Sequence, residues 1–123
     1  MSTLRATLVS LPVADQDRAR DFYRDKLGFT VIVDKPLAPG HKWLQVSGPG
    51  GGAEIALVKW FDTMPPGSTQ GLVVECDDLD AEHARLVAAE VDIDDINDGP
   101  TGRYANLRDS EGNGLILRTP HSV

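Results

Sequence analysis

Two periodicities run through this chain. Leu8-Val9-Ser10-Leu11-Pro12-Val13 alternates and is rich in β-formers, which predicts a strand. Asp15 follows as a helix N-cap, and Ala19, Phe22, Tyr23 and Lys26/Leu27 recur at helical spacing. Gly28 is placed for a left-handed C-cap. Alternation resumes from Phe29 to Val33, and the segment from Pro36 to Gly40 is expected to break it. Trp43-Leu44-Gln45-Val46 and Glu54-Ile55-Ala56-Leu57-Val58 alternate again, on either side of a turn at Gly48-Pro49-Gly50-Gly51-Gly52.

The series then starts afresh. Beyond Met64-Pro65-Pro66-Gly67-Ser68, the run Leu72-Val73-Val74-Glu75-Cys76 predicts a strand and Asp78 a second N-cap. Ala84, Val87, Ala88 and Val91 are spaced as the apolar stripe of the helix that follows. A short strand falls between Val91 and Ile96. Tyr104-Ala105-Asn106-Leu107 and Leu115-Ile116-Leu117 form a hairpin across Asp109-Ser110-Glu111-Gly112-Asn113-Gly114, which is rich in turn residues. Asp15 and Asp78 stand 63 positions apart, and Trp43 and Tyr104 stand 61 apart. Matching elements at this offset indicate an internal duplication of a βαβββ unit.

Period-2 alternation assigns the faces of each sheet. Leu44, Val46, Ile55, Leu57, Leu72, Val74, Ala105, Leu107, Leu115 and Leu117 face the helices. Their neighbours face the other way: Leu8, Ser10, Trp43, Gln45, Glu54, Ala56, Val58, Gly71, Val73, Glu75, Tyr104, Asn106, Ile116 and Arg118. An apolar wall with two aromatics and a few hydrogen-bonding groups is the lining that a small-molecule pocket needs.

Composition narrows the function classes. With 123 residues, 41% hydrophobic and 25% charged, the chain suits one globular domain spanning 1–123, built of modules 5–60 and 69–119. Its net charge of −7 is uneven, +1 over residues 1–64 and −8 over 65–123. No basic stripe exists to neutralise phosphates, so nucleic acid is excluded as a partner. No apolar run approaches the ~20 residues of a membrane helix. A single cysteine, Cys76, rules out an intramolecular disulfide framework and any CxxC site. A cytoplasmic location is expected.

The motifs together resemble a known superfamily. Asp15-Gln16-Asp17 through Phe22-Tyr23, followed by Lys26-Leu27-Gly28-Phe29, resembles the opening signature of the vicinal oxygen chelate superfamily, which includes glyoxalases, extradiol dioxygenases and bleomycin-resistance proteins. Cys76-Asp77-Asp78-Leu79-Asp80 is similar to the start of its second module. Gly102-Arg103-Tyr104 and Arg108-Asp109-Ser110-Glu111-Gly112-Asn113 are similar to its closing hairpin, with Ser110 where a proline is usual. The resemblance implies an α+β fold, two βαβββ modules forming a curved mixed β-sheet cup with the helices outside, as in the glyoxalase/bleomycin resistance-like fold. It also implies a homodimer, with ligand sites built from both modules and often shared across the interface.

Metal-dependent members of that superfamily place four ligands, mostly His and Glu, on the first and last strands of each module. Threaded onto this chain, those positions are Leu8, Glu54, Gly71 and Ile116, and of these only Glu54 can donate to a metal. A catalytic metal wants about three protein ligands, so no metal and no cofactor is expected. His83 falls on the second helix, away from the cup; His121 is terminal; His41 begins a strand; and no pair has HxxxH or HxH spacing. Gly48 to Gly52 lacks the Lys-Ser/Thr of a P-loop, and the acidic run Asp92 to Asp98 lacks the Gly and Glu of an EF-hand. Cys76 falls on a core face.

The expected function is therefore metal-free binding of a small aromatic or cationic compound, as the bleomycin-resistance type does. The ligand-binding candidates are Trp43, Gln45, Glu54, Val58, Val73, Tyr104, Asn106 and Arg118. Trp43 and Tyr104 would stack, and Gln45, Asn106 and Arg118 would orient the guest. Glu54 would hold charge, or be neutralised by Arg118 or Arg103; its use as a general base lacks a visible partner. Two alternatives stay open, a metal-dependent glyoxalase- or dioxygenase-like enzyme with atypical ligands and a non-catalytic structural or partner-binding domain.

Overall fold

The computed structural model describes residues 3–59 and 61–120. The elements run β1 (Leu8–Pro12), α1 (Gln16–Asp21), β2 (Thr30–Ala38), β3 (His41–Ser47), β4 (Glu54–Val58), β5 (Gln70–Glu75), α2 (Leu79–Ala88), β6 (Asp92–Ile93), β7 (Asn97–Gly99), β8 (Gly102–Arg108) and β9 (Gly114–Arg118). Among the described residues these form two mixed sheets. One has the order β1-β4-β3-β2; the other has the order β5-β9-β8-β6, with β7 also on β8. In each, the first strand lies parallel to the last and the remaining pairs are antiparallel. Each sheet is thus served by one strand–helix–strands series along the chain.

Both helices begin as the sequence indicates. The Asp15 side chain accepts from Arg18 N–H at 3.0 Å, and Asp78 accepts from Ala81 N–H at 3.1 Å. Each cap satisfies an N–H that a helix start leaves without a partner. After Asp21 the first helix widens into a π-helical turn over Phe22–Lys26, where Leu27 N–H reaches back to the Phe22 carbonyl. Gly28 then takes φ +77° and ends it. Ala19 and Tyr23 are buried on this helix, as expected.

The second helix turns a different face inward. Leu79 and Leu86 are buried, whereas Ala84, Val87 and Ala88 are exposed, Val87 to 52%. Of the anticipated stripe only Val91, just past the helix, is covered. The two leucines are seven residues apart on one face, and their larger side chains remove more apolar surface from water than the alanines would.

Strand β2 also departs from expectation. It runs through Pro36 to Ala38 instead of stopping at Val33, with register irregularities between Val31 and Val33 and between Pro36 and Ala38. β2 is the outer strand of its sheet, where a missing N–H breaks no ladder on the open side. Its counterpart in the second module is split into β6 and β7, which pair with opposite ends of β8.

One apolar core joins the modules. Leu11, Leu44, Val46, Ile55 and Leu57 of the first sheet cluster with Leu107, Leu115 and Leu117 of the second, with Tyr23 from the first helix and with Leu79 and Leu86 from the second. The face assignment therefore holds, with Leu72 and Val74 at the margin of the core. A polar seam locks the two halves at one end. Tyr23 Oη donates to Asp109 at 2.7 Å, and Asn113 Nδ2 donates to the Pro12 carbonyl at 2.9 Å. The Glu111 side chain, inaccessible to solvent, accepts from the backbone N–H groups of Ala14 and Asp15, both at 3.0 Å. It also accepts from Arg18 Nε at 2.8 Å and Ser110 Oγ at 2.8 Å. The turn between β8 and β9 thus fastens the opening of α1. Burial pushes the Tyr23 phenol well above its ordinary range, and the neighbouring Asp109 adds to the rise.

Candidate functional site

The first sheet builds its polar face on three adjacent strands. β3 presents Trp43 and Gln45 on one side, and the β4 residues paired around them are Glu54, Ala56 and Val58. Trp43 Nε1 donates to Gln45 Oε1 at 2.9 Å, and Gln45 Nε2 donates in turn to a Glu54 carboxylate oxygen. Beside them lies a cavity of about 610 Å³ lined by residues 5–8, Gln45 and residues 52–54. The Glu54 N–H donates to the Thr7 carbonyl at 2.9 Å, and Leu8 is the pairing partner of Glu54. These contacts carry the segment before β1 alongside the carboxylate and bring Arg5 into the lining. Arg5 was not among the sequence candidates, because alternation carried back from Leu8 reaches Ala6 and Leu4 instead. Val58 does not line the cavity: it is buried, and its carbonyl accepts from Val13 N–H at 2.8 Å.

The second sheet holds the remaining candidates in another place. Val73 is 39% exposed on the edge strand β5, and Arg118 on β9 donates to Glu75 at 3.2 Å. The Tyr104 ring lies against Gly99, so closely that a Cβ there would sit 2.9 Å from a ring carbon. Asn106 is half-buried opposite Ile116. A larger cavity, about 780 Å³, lies where the modules meet. Val73, Glu75 and Arg118 border it, together with core-side residues such as Val9, Ile55, Leu72 and Val74 and the glycine loop 48–52. Gln45 and Glu54 border only the smaller cavity and Val73 and Arg118 only the larger; Trp43, Val58, Tyr104 and Asn106 border neither. The eight residues thus lie on one kind of face but not in one hollow of a single chain.

The charge partners expected for Glu54 are engaged elsewhere. Arg118 is held by Glu75, and Arg103 makes a two-pronged pair with Asp80 at 2.8 and 3.0 Å. That guanidinium holds the Asp80 carboxyl below its ordinary value. Among the described residues Glu54 has no ion pair, and Gln45 is its one side-chain partner.

The pair of mixed sheets and the closing turn have a counterpart among known proteins. Residues 5–117 match the profile of the Glyoxalase/Bleomycin resistance protein/Dioxygenase superfamily. The chain belongs to this superfamily. Its fold is closely similar to TnmS3, an antibiotic binding protein from Streptomyces sp. CB03234, with 42% identity, a TM-score of 0.90 and 98% of each chain covered. A glyoxalase/bleomycin resistance protein from the same organism shares 43% identity at a TM-score of 0.82, covering 92% of this chain and 98% of its own. The uncharacterized protein YetH of Bacillus subtilis (strain 168) is 31% identical over 114 residues, which is 89% of this chain and 93% of its own.

Metal-dependent members of the superfamily hold a divalent ion, and the strand pairing tests whether these residues fit one. Gln45 pairs with Ala56, and its counterpart Asn106 pairs with Ile116. The first-module counterpart of Ile116 is therefore Ala56, two residues beyond Glu54, which corrects the threading. Leu8 keeps its place, and Gly71 is the irregular residue between Gln70 and Leu72, with φ +91°. Leu8, Ala56, Gly71 and Ile116 offer no side-chain donor atom. These residues do not fit an ion that needs oxygen or imidazole ligands. Among the described residues, no three His, Cys, Asp or Glu side chains group where they could hold a metal.

The other candidates take structural places. His83 Nε2 lies 2.8 Å from the Asp94 carbonyl, on the helix flank as expected, and His41 begins β3, half-buried. His121 lies outside the described residues. Cys76 is half-buried, and burial, with Glu82 and Asp77 nearby, pushes its thiol up, away from the reactive thiolate. Asp92 and Asp94 of the acidic run lie near Arg108, at 3.7 and 3.8 Å. No helix is long and apolar enough to cross a membrane among the described residues.

Proposed function

We propose that this protein sequesters a small aromatic or cationic compound, an antibiotic being the favoured class, without transforming it and without a metal. The observation that carries this reading is the Glu54 carboxylate. It is held by Gln45, opens onto a cavity of about 610 Å³, and forms no ion pair with any described residue. This half-buried carboxylate can accept a further hydrogen bond from a guest that brings a donor. The likeness to TnmS3, at 42% identity over nearly the whole chain, supports an antibiotic as the guest. The side chains at the superfamily's ligand positions support binding rather than Lewis-acid chemistry.

Trp43 and Tyr104 supply flat apolar surface, while Asn106 and Arg118 orient the guest from the second sheet. Because those residues and Glu54 border different parts of one chain, the reading includes a homodimer. In it the polar face of one chain's first sheet meets that of its partner's second, in the cytoplasm.

The test is a thermal-shift screen of antibiotics and aromatic cations against the purified chain. A guest that raises Tm, and fails to do so with Glu54→Gln, is the expected result. Parallel titration with Ni²⁺, Zn²⁺, Mn²⁺ and Fe²⁺ should give no tight stoichiometric site. One such site dependent on Glu54 would overturn the proposal.

A further inference from the structure

We infer that Gln45 is the specificity-determining residue of this hollow: it fixes Glu54 as an acceptor, so the pocket takes ligands that present a hydrogen-bond donor, cationic by preference, and rejects acids. This rests on the sequestering reading and adds to it the sign of the group that the guest must bring.

The inference follows from the one-way character of three groups in a row. An indole N–H can only donate, so the Gln45 oxygen must be the atom that faces Trp43, 2.9 Å away. The amide cannot be flipped without setting two donors against each other. Its nitrogen therefore points at Glu54, where it can only donate. The chain of bonds runs from Trp43 through Gln45 to Glu54 and ends on a carboxylate. Bonds aligned in one direction polarise one another, which strengthens the Gln45 donation that holds the carboxylate in place.

The second Glu54 oxygen receives no donor from any described residue, and Glu54 enters no ion pair. Arg5 lines the same cavity but forms no ion pair with Glu54, and it is exposed to solvent. Ala6, Leu8 and Ala53 of the lining can donate nothing from their side chains, and the Thr7 hydroxyl, also in the lining, makes no hydrogen bond to Glu54. A guest amine or phenol meets a waiting acceptor there. A guest carboxylate meets a like charge that Gln45 holds in place, which is discrimination by repulsion as well as by attraction.

Three probes of one shape test this by fluorescence titration on the full chain at neutral pH: cationic 9-aminoacridine, neutral 9-anthracenemethanol and anionic 9-anthracenecarboxylate. The wild-type protein should bind the cation at least tenfold more tightly than the anion, with the neutral alcohol between. Glu54→Gln should bring the ratio to within threefold of unity. Gln45→Leu should cut the ratio at least fivefold while changing affinity for the alcohol less than twofold. Asp62→Asn, which removes the same charge from an exposed turn, should leave the ratio unchanged. Melting curves report whether each variant is folded.

Equal binding of cation and anion by the wild type overturns the inference and leaves sequestration standing. Survival of the preference in Glu54→Gln, or its loss in Asp62→Asn, also overturns it, because bulk charge then sets the selectivity. A uniform loss of all three probes in Gln45→Leu reduces Gln45 to a structural residue. Failure of all three to bind the wild type overturns both readings.

Discussion

Replacing Glu111 by Gln should remove much of the acid sensitivity of folding, and the size of the effect follows from its surroundings. The side chain is inaccessible to solvent, and burial alone would raise its pKa. The Arg18 guanidinium, two backbone N–H groups and the Ser110 hydroxyl outweigh that, taking the carboxyl from an ordinary 4.5 down to about 2. At about 1.4 kcal/mol per pH unit, the interval is worth about 3 kcal/mol, less at high salt because half of the Arg18 side chain is exposed. The folded carboxyl loses its proton more easily than the unfolded one. Its stabilisation is therefore complete above pH 4.5 and drains away as pH falls towards 2. Urea unfolding of wild type and Glu111→Gln at half-unit steps from pH 2 to 7 isolates this group, since other carboxylates titrate in both. The difference in unfolding free energy should be about 2–3 kcal/mol at pH 6 and shrink steadily below pH 4.5. A difference that stays constant across the range would refute the argument.

Four further substitutions probe the fold and the site's support. Glu90 holds φ +64°, a left-handed conformation that favours glycine, so Glu90→Gly should raise stability by about 1 kcal/mol, or about 4 °C in Tm by calorimetry. Leu86→Ala should cost about 2–5 kcal/mol in denaturant melts, whereas Val87→Ala next to it should stay within about 0.5 kcal/mol. The reverse order would mean that the second helix presents its other face. Gly99→Ala drives a methyl into the Tyr104 ring, and should destabilise by about 1–3 kcal/mol and alter the ring's near-UV circular dichroism.

Alternation alone assigned the apolar faces correctly, because a strand leaves each side chain only two directions. Leu44, Val46, Ile55, Leu57, Leu107 and Leu115 all reached the core. The N-caps at Asp15 and Asp78 were equally legible, since a helix start needs an acceptor at one defined place. Period 2 does not say where along a face a residue ends up. That is why Glu54 and Arg118, both assigned to the polar side, border separate cavities, and why Glu54 was matched to Ile116 instead of Ala56 beside it. Pro36 misled because its cost depends on whether the strand is at an edge, which only the assembled sheet decides. Side-chain size misled in the second helix, where small residues kept the period and larger ones took the contact. Arg5 was hidden because its role comes from the strand that it precedes.

The bond between Glu111 and the N–H of Ala14 spans 97 positions. A nascent chain emerging from the ribosome cannot complete the first helix's anchorage until the turn between β8 and β9 has been made. The first helix must wait for a segment made much later, and a product that stops before that turn would lack this clasp.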